Sequence, residues 1–276
     1  MSGTLTLVGT PIGNLSDMSP RAVEALETCD FIAAEDTRVS LNLLNHFGIR
    51  KPLISYFEHN KRERGEQICR KLEDGENAVL VTDAGMPAIS DPGEDLVALC
   101  HDRGIPVTVI PGPSAGIAAL AVSGLPTARF TFEGFLSANK RDRRAQLEAL
   151  KAEQRTMVFY EAPHKLLATL TDMLAAFGDR RVALVREITK LHEETVRTTL
   201  AEAVARYEET APRGEFVVVV EGAAPVADTP ATPEEAAALA RTFVKEGLST
   251  SDAARKAAAQ TGVKKGDIYR LLTKET

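Results

Sequence analysis

The stretch "AVLVTDAGMPAISDPG" (residues 78–93) decides how this chain reads. It opens on four consecutive apolar residues, Ala78 to Val81, the pattern of a buried strand. The composition then changes abruptly. Thr82 to Gly93 holds two glycines, two prolines, two aspartates and a serine, residues that bend the backbone or leave it exposed. The continuation "DPGEDLVALCHDRG" predicts a helix that opens on Asp91 and Pro92 and closes before Gly104. Strand, loop and helix make one βα unit whose loop is suited to gripping a ligand.

The same grammar extends outward. "TLTLVG", "FIAAE" and "PVTVIPG" read as further strands. "SPRAVEALETC" reads as a helix with Ser19 as N-cap and Pro20 at its first position. Strands alternating with helices predict a parallel sheet covered on both faces. Gly124 and Pro126 punctuate "VSGLPTARF" (residues 122–130), and the pattern resumes beyond it. "RFTFEGF", "RTMVFYE", "RVALVREI", "TVRTTL" and "EFVVVVEG" read as strands, some with no helix between them, which predicts a mixed sheet. "AAPVADTPATPEE" (residues 223–235) has the composition of a linker, and a helical segment follows it. The expected organisation is an α/β domain over 1–122, a second over 123–222, a linker over 223–232 and a small helical module over 233–276.

Composition narrows the function classes. The 276 residues are 44% hydrophobic, enough for a substantial core. No signal pattern opens the chain, and the aliphatic run near Val217 to Val220 is far too short to span a bilayer. A soluble, intracellular, cytoplasmic protein is expected, with no membrane association. Cys29, Cys69 and Cys100 are scattered with no C-x-x-C, and the five histidines show no paired spacing. Reduced core thiols and no metal site are expected. Net charge is −6. Residues 241–276 hold eight Lys/Arg against four Asp/Glu, a basic tail on an acidic body that hints at a polyanionic partner.

No two of the glycines are separated by a single residue, so G-x-G-x-x-G cannot occur, and no P-loop motif is present. The usual nucleotide fingerprints are therefore excluded. Four other loops leave strand ends: "GTPIGNL" (Gly9 to Leu15), "TDAGMPAISDPG", "IPGPSAG" (Ile110 to Gly116) and "FYEAPHK" (Phe159 to Lys165). In open α/β sheets ligands bind beyond the carboxyl ends of strands. Any one such loop reads as an ordinary turn, whereas four together read as a site.

"GTPIGNLSDMSPRAVEAL", "AEDTR", "TDAGMPAISDPG", "IPGPSA", "FYEAPH" and "REITKLHEE" together resemble the ribosomal RNA small subunit methyltransferase I family, a branch of the tetrapyrrole methylases. The resemblance runs from about Leu5 to Glu221. It implies two α/β domains of the class III methyltransferase type and S-adenosyl-L-methionine as cofactor. It further implies a homodimer, and 2′-O-methylation of a cytidine ribose in the decoding region of 16S rRNA. By resemblance, Pro11, Asp83, Gly85, Met86, Ile89, Ser90, Ser114, Ala115 and Tyr160 match positions lining the cofactor cleft. Met86 stands where the family often has Thr, so any hydroxyl contact there is lost.

Methyl transfer to a hydroxyl needs alignment of the reacting atoms, and gains from a base or a cation beside the forming alkoxide. Glu35, Asp36 and Arg38 in "AEDTR", and Glu187 and Lys190 in "REITK", are the candidates. Glu35 and Asp36 equally suit helix capping. Arg38 suits either a phosphate clamp or a solvated helix face, and Lys190 either alkoxide stabilisation or pairing with Glu193. "KRERG" (Lys61 to Gly65) and "NKRDRR" (Asn139 to Arg144) are basic clusters, usually solvated but plausible phosphate contacts with an RNA substrate. In the tail, three short helices resemble a helix-turn-helix, with Lys264, Lys265 and Arg270 on or beside the last. Packing against the body is the plainer alternative. Two further readings remain open: a tetrapyrrole methylase acting on a small molecule, and a non-enzymatic nucleic-acid-binding regulator.

Overall fold

A computed structural model describes residues 2–224 and 232–273. The chain divides into two compact units, Met1–Ala223 and Ala224–Thr276. Most of the expected linker lies outside the described residues.

The first sheet of the larger unit consists of β1 (Leu5–Val8), β2 (Phe31–Ala34), β3 (Leu53–Ser55), β4 (Ala78–Val81) and β5 (Val107–Ile110). Its order is β3-β2-β4-β1-β5, and every pairing is parallel. The apolar runs of β2 and β4 are buried at every position, because helices cover both faces. Side chains alternate between those faces. Ala78 and Leu80 meet Ile68, Leu72 and Leu96 from α3 (Lys61–Glu73) and α4 (Glu94–Asp102). Val79 and Val81 meet Ala22, Leu26 and Leu44 from α1 (Pro20–Thr28) and α2 (Thr37–His46). Ser19 caps α1 as its sequence predicts, accepting from the Ala22 N–H.

The structure adds one strand to the expected set and moves one helix start. Strand β3 is only three residues long, too short for its periodicity to be read. Helix α4 starts at Glu94, not at Asp91 and Pro92. Gly93 precedes it at φ 148°, a left-handed conformation that turns the chain before the helix can begin. Asp91 is thereby released from a capping role.

Chain direction reverses within this sheet. From β1 the chain crosses β4 to reach β2, whereas from β4 it crosses β1 to reach β5. The loops after β1 and β4 therefore flank a switch point. They are tied together by paired hydrogen bonds between Thr10 and Gly85, at 2.9 and 3.1 Å. The loop after β5 closes in from the other side. A Cβ on Gly9 would stand 2.7 Å from the Gly112 Cα, so this contact requires glycine.

The second sheet comprises β6 (Phe130–Phe135), β7 (Thr156–Glu161), β8 (Arg181–Arg186), β9 (Glu194–Thr199) and β10 (Phe216–Val220), in the order β6-β7-β10-β8-β9. It is mixed, as its uninterrupted strands imply: β6 and β7 are parallel and the other pairs antiparallel. Phe216, Val218 and Val220 face a core shared with α6 (Lys140–Leu150), α7 (Pro163–Phe177) and α8 (Leu200–Glu209). Val217 and Val219 face Ala119 and Leu120 of α5 (Ala115–Ser123). Helix α5 thus follows the last strand of the first sheet but packs on the second, and residue 122 falls inside it.

Part of the basic cluster at 139–144 is internal. Arg143 is buried and pairs with buried Asp172 at 2.6 Å, and Arg144 reaches the other oxygen of the same carboxylate at 2.8 Å. Arg143 is committed to α7 and is not a free phosphate ligand, whereas Arg144, though paired, stays more than half exposed. The three cysteines are buried, with the Cys69 and Cys100 sulfurs 3.9 Å apart.

The smaller unit contains α9 (Pro233–Lys245), α10 (Thr250–Thr261) and α11 (Lys265–Thr273). Thr232 and Glu235 form a capping box, Ser249 caps α10, and Gly262 ends α10 in the left-handed conformation. An alanine-rich core holds the helices close, with Phe243 and Ile268 as its bulky members. Among the described residues no helix is long and apolar enough to cross a membrane.

Candidate active site

A cavity of about 630 Å3 opens between the strand-end loops of the two sheets. The first sheet contributes Asp83, Gly85, Met86, Ile89 and Ser90 from the loop after β4, with Glu35 from the end of β2. Ser114 and Ala115 enter at the start of α5, and Tyr160 at the end of β7. Glu187 and Lys190 come from the loop after β8. Three expected site residues are not on this wall. Pro11 lines a smaller neighbouring cavity, which shares Thr82 and Asp83 with the larger one. Asp36 and Arg38 lie at the head of α2, where Asp36 is the N-cap and accepts from the Arg38 N–H at 2.8 Å. Their side chains form an ion pair at 2.5 Å with Arg38 88% exposed. That arginine holds the Asp36 carboxyl down at about 2.

Both walls are built from left-handed backbone. Among the described residues, positive φ outside glycine occurs at Ala88 (66°), Ser90 (68°), Glu187 (49°) and Thr189 (67°). Such conformations persist only where the surroundings over-determine them, and they gather at functional sites. Here two stand in the loop after β4 and two in the loop after β8.

The first-sheet wall is acidic. The Thr82 hydroxyl donates to Glu35 at 2.7 Å, and the Asp36 N–H donates to Asp83 at 3.1 Å. Asp91 completes the group. Burial, reinforced by the neighbouring Glu35 and Asp83 charges, pushes its carboxyl up to about 6, against a stabilising contact from Thr82. Burial likewise raises Asp83.

The second-sheet wall sets one ammonium between two carboxylates. Lys190 Nζ donates to Glu215 at 2.7 Å and to Glu187 at 3.0 Å. Burial alone would lower this ammonium, but the two carboxylates outweigh it and the net shift is upward. Lys190 is thus held as a cation rather than a base. It does not pair with Glu193, whose carboxylate instead accepts from the Thr189 N–H at 2.7 Å. The reason is tertiary: β8 runs antiparallel to β10, which sets Glu215 beside Glu187 although they are far apart in sequence. The Glu187 carboxyl is lowered by the Glu215 N–H and then by Lys190.

Tyr160 links the walls. Its Oη accepts from the Gly116 N–H at 3.1 Å, and its ring packs edge-on against Phe132 and Phe135. Ser114 is the N-cap of α5 but makes no capping hydrogen bond, so of the first-turn amides that of Gly116 is taken by Tyr160 while those of Ala115 and Ile117 have no capping partner. Asp91, Glu215 and Phe135 were not anticipated as site residues. Asp91 carried a signal, a carboxylate in the decisive loop, that its position before a proline disguised as a helix start. Glu215 carried none.

The family model for Tetrapyrrole (Corrin/Porphyrin) Methylases matches residues 4–204. A ribosomal RNA small subunit methyltransferase I from Synechocystis sp. is 50% identical over 98% of this chain and 97% of its own length. The chain belongs to that family. The family's proteins from Halalkalibacterium halodurans and Escherichia coli O157:H7 are 45% and 44% identical, over 99% and 97% of this chain and 96% and 94% of their own lengths. Among solved structures, the methyltransferase CobJ aligns with a TM-score of 0.61 at 20% identity, covering 81% of this chain and 95% of its own. The cobalt precorrin-4 methyltransferase aligns with a TM-score of 0.58 at 17% identity, covering 79% of this chain and 94% of its own. At those identities the likeness is one of fold: the ribosomal RNA small subunit methyltransferase I family is built on the class III, tetrapyrrole-methylase architecture.

Proposed function

We propose that this methyltransferase moves a methyl group from S-adenosylmethionine to the ribose 2′-hydroxyl of a cytidine in the decoding region of small-subunit ribosomal RNA. The observation that carries the reading is 50% identity, spanning nearly the whole of both chains, to a ribosomal RNA small subunit methyltransferase I.

The large cavity fits the cofactor. Its volume of about 630 Å3 lies within the range of small-ligand clefts, about 300–1,000 Å3. Asp83 and Asp91 suit a ligand carrying a sulfonium and an ammonium. The uncapped Ala115 and Ile117 amides at the start of α5 suit its carboxylate. Met86 and Ile89 offer apolar contact to its ring system, and the left-handed turn at Ser90 presents backbone to it. When bound, S-adenosylmethionine supplies a methyl group on a positively charged sulfur. Lys190, kept protonated by Glu215 and Glu187, stabilises negative charge developing on the acceptor oxygen. Asp91, poised near 6, accepts the hydroxyl proton. Glu35 supports this acidic wall through Thr82, and Asp36 positions Arg38 at the head of α2 for a substrate phosphate. The protein works in the cytoplasm as a homodimer. Lys264, Lys265 and Arg270, all exposed, give the tail module a phosphate-binding face.

The test is transfer of labelled methyl to assembled small subunits, free small-subunit RNA and porphyrinoids in parallel. Label on a ribose of the small-subunit RNA is expected. Label confined to porphyrinoids refutes the reading.

A further inference from the structure

The loop after β1 reaches from the first-sheet wall of the large cavity to the second. Near its start it is moored to the loop after β4 by the Thr10–Gly85 hydrogen bonds. Beyond that mooring Ile12 lines the large cavity, and Gly13 lies against the loop after β8. A Cβ on Gly13 would stand 2.4 Å from Lys190 Cγ, 3.1 Å from Lys190 Cε and 3.1 Å from Thr189 Oγ1. The lysine stem therefore occupies the space that a side chain at position 13 would need. The Gly13 φ of 151° is a second bar to any side chain there. Of the two glycines in "GTPIGNL", Gly9 is required by its contact with Gly112 and Gly13 by its contact with Lys190.

Lys190 gains from such a support. Glu215 and Glu187 hold its ammonium, but the charge sits at the end of a long flexible stem. At the other end, the backbone is fixed by the left-handed residues Glu187 and Thr189. Gly13 covers the middle. Backbone, stem and head are then all constrained, as a preorganised charge requires.

We propose that Gly13 is a positioning residue for Lys190: the loop after β1, anchored on the loop after β4, lays its bare backbone along the lysine stem and so directs the ammonium to the acceptor oxygen. The inference rests on the ribose-methylation reading above and on the part it gives Lys190. It goes beyond that reading by joining the two walls, because the loop tied to the cofactor side also sets the cation on the acceptor side. A methyl group at position 13 pushes the stem aside while the carboxylates stay, and the ammonium leaves its line. A misplacement of about 1 Å in a reacting constellation is enough to cost about 10²-fold in rate.

The test measures labelled methyl transfer to small subunits, cofactor affinity by calorimetry and melting temperature. The variants are Gly13→Ala, Lys190→Ala, the two combined, and Lys190→Met. Gly13→Ala is expected to lower kcat by about tenfold or more while cofactor affinity stays within about twofold. In the Lys190→Ala background the same change has no stem to displace, so it should lower kcat by less than about twofold further. A repeated tenfold fall overturns the proposal. So does parent-like kcat in Gly13→Ala, or a loss of cofactor affinity equal to the loss of rate. Lys190→Met keeps the stem without the charge, and this arm does not depend on Gly13→Ala folding. It should lose as much turnover as Lys190→Ala yet melt about 2 °C or more above it, because alanine leaves Gly13 uncovered. Equal melting temperatures overturn the packing of the stem and the proposal with it. Parent-like turnover in either lysine variant removes Lys190 from the reaction, and Gly13 with it. A parent that labels no small-subunit RNA refutes the proposed function instead, and the melting temperatures then decide alone whether Gly13 seats the stem.

Discussion

The two walls of the large cavity use the same backbone device but differ in that only one of them holds a cation. Each is a strand-end loop held open by a pair of left-handed, non-glycine residues: Ala88 and Ser90 on the first sheet, Glu187 and Thr189 on the second. On the first wall the carboxylates of Glu35, Asp83 and Asp91 stand together with no lysine or arginine among the cavity residues of their own sheet. On the second, one lysine is clasped by two carboxylates. The walls divide the labour. A crowd of carboxylates suits a cationic ligand bound in the ground state, whereas a preorganised ammonium suits charge that appears only during reaction.

That contrast also extends beneath the walls, and the largest expected effect lies there. The second sheet carries a buried ion pair, Arg143 with Asp172, under its helices, whereas the first sheet's core clusters are apolar with three thiols. Asp172→Ala leaves Arg143 buried and unpaired and should cost about 3–5 kcal/mol, read as a large fall in denaturation midpoint. A fall under about 1 kcal/mol would mean that the pair is solvated and the two halves are not differently built.

Next comes Lys190→Ala. If the second wall acts on the reaction, turnover should drop by about 10²–10³ while cofactor affinity is nearly retained. Equal losses in both would erase the division between the walls.

Asp91→Asn sharpens the other side. Asp91 is raised from its ordinary 3.8 to about 6, so the folded protein holds a proton that the unfolded chain releases between those values. Its burial therefore costs no stability below about pH 4, and the cost grows as pH rises to about 6. A bound cation favours the ionised carboxylate, so cofactor affinity should rise with pH through about 6 and then level. The Asn variant should flatten that rise and be the more stable protein above pH 6. A parent profile already flat between pH 5 and 7 would remove Asp91 from the cation-binding wall.

The smallest effect belongs to the tail. Thr232→Ala removes one half of the capping box of α9 and should destabilise that helix by about 1 kcal/mol, visible as faster amide exchange in its first turn. Cofactor affinity should not change. If it does, the smaller unit takes part in the site.

Much of this architecture was legible in the residues. "AVLV" predicted a buried central strand because helices on both faces leave it no polar side, and Ser19–Pro20 marked a helix start because the cap and ring chemistry are local. Pro11, grouped with the cofactor loops on its motif, lines the smaller cavity, because the crossed loops after β1 and β4 turn it toward α2.

Legible in the chain alone are the alternation of strands and helices, the parallel and the mixed sheet, the cap of α1 and the strand-end loops that line the large cavity. Each depends on residues within a few positions of one another, where periodicity, backbone propensity and side-chain capping act. Which charges meet is set by the fold. The release of Asp91 by the turn at Gly93 and its crowding against Glu35 required the fold. So did the choice of Glu215 over Glu193 by Lys190 and the burial of Arg143 on Asp172. Electrostatic partners are set by strand order and antiparallel register, which bring together residues tens of positions apart, and no local pattern in the chain encodes that distance.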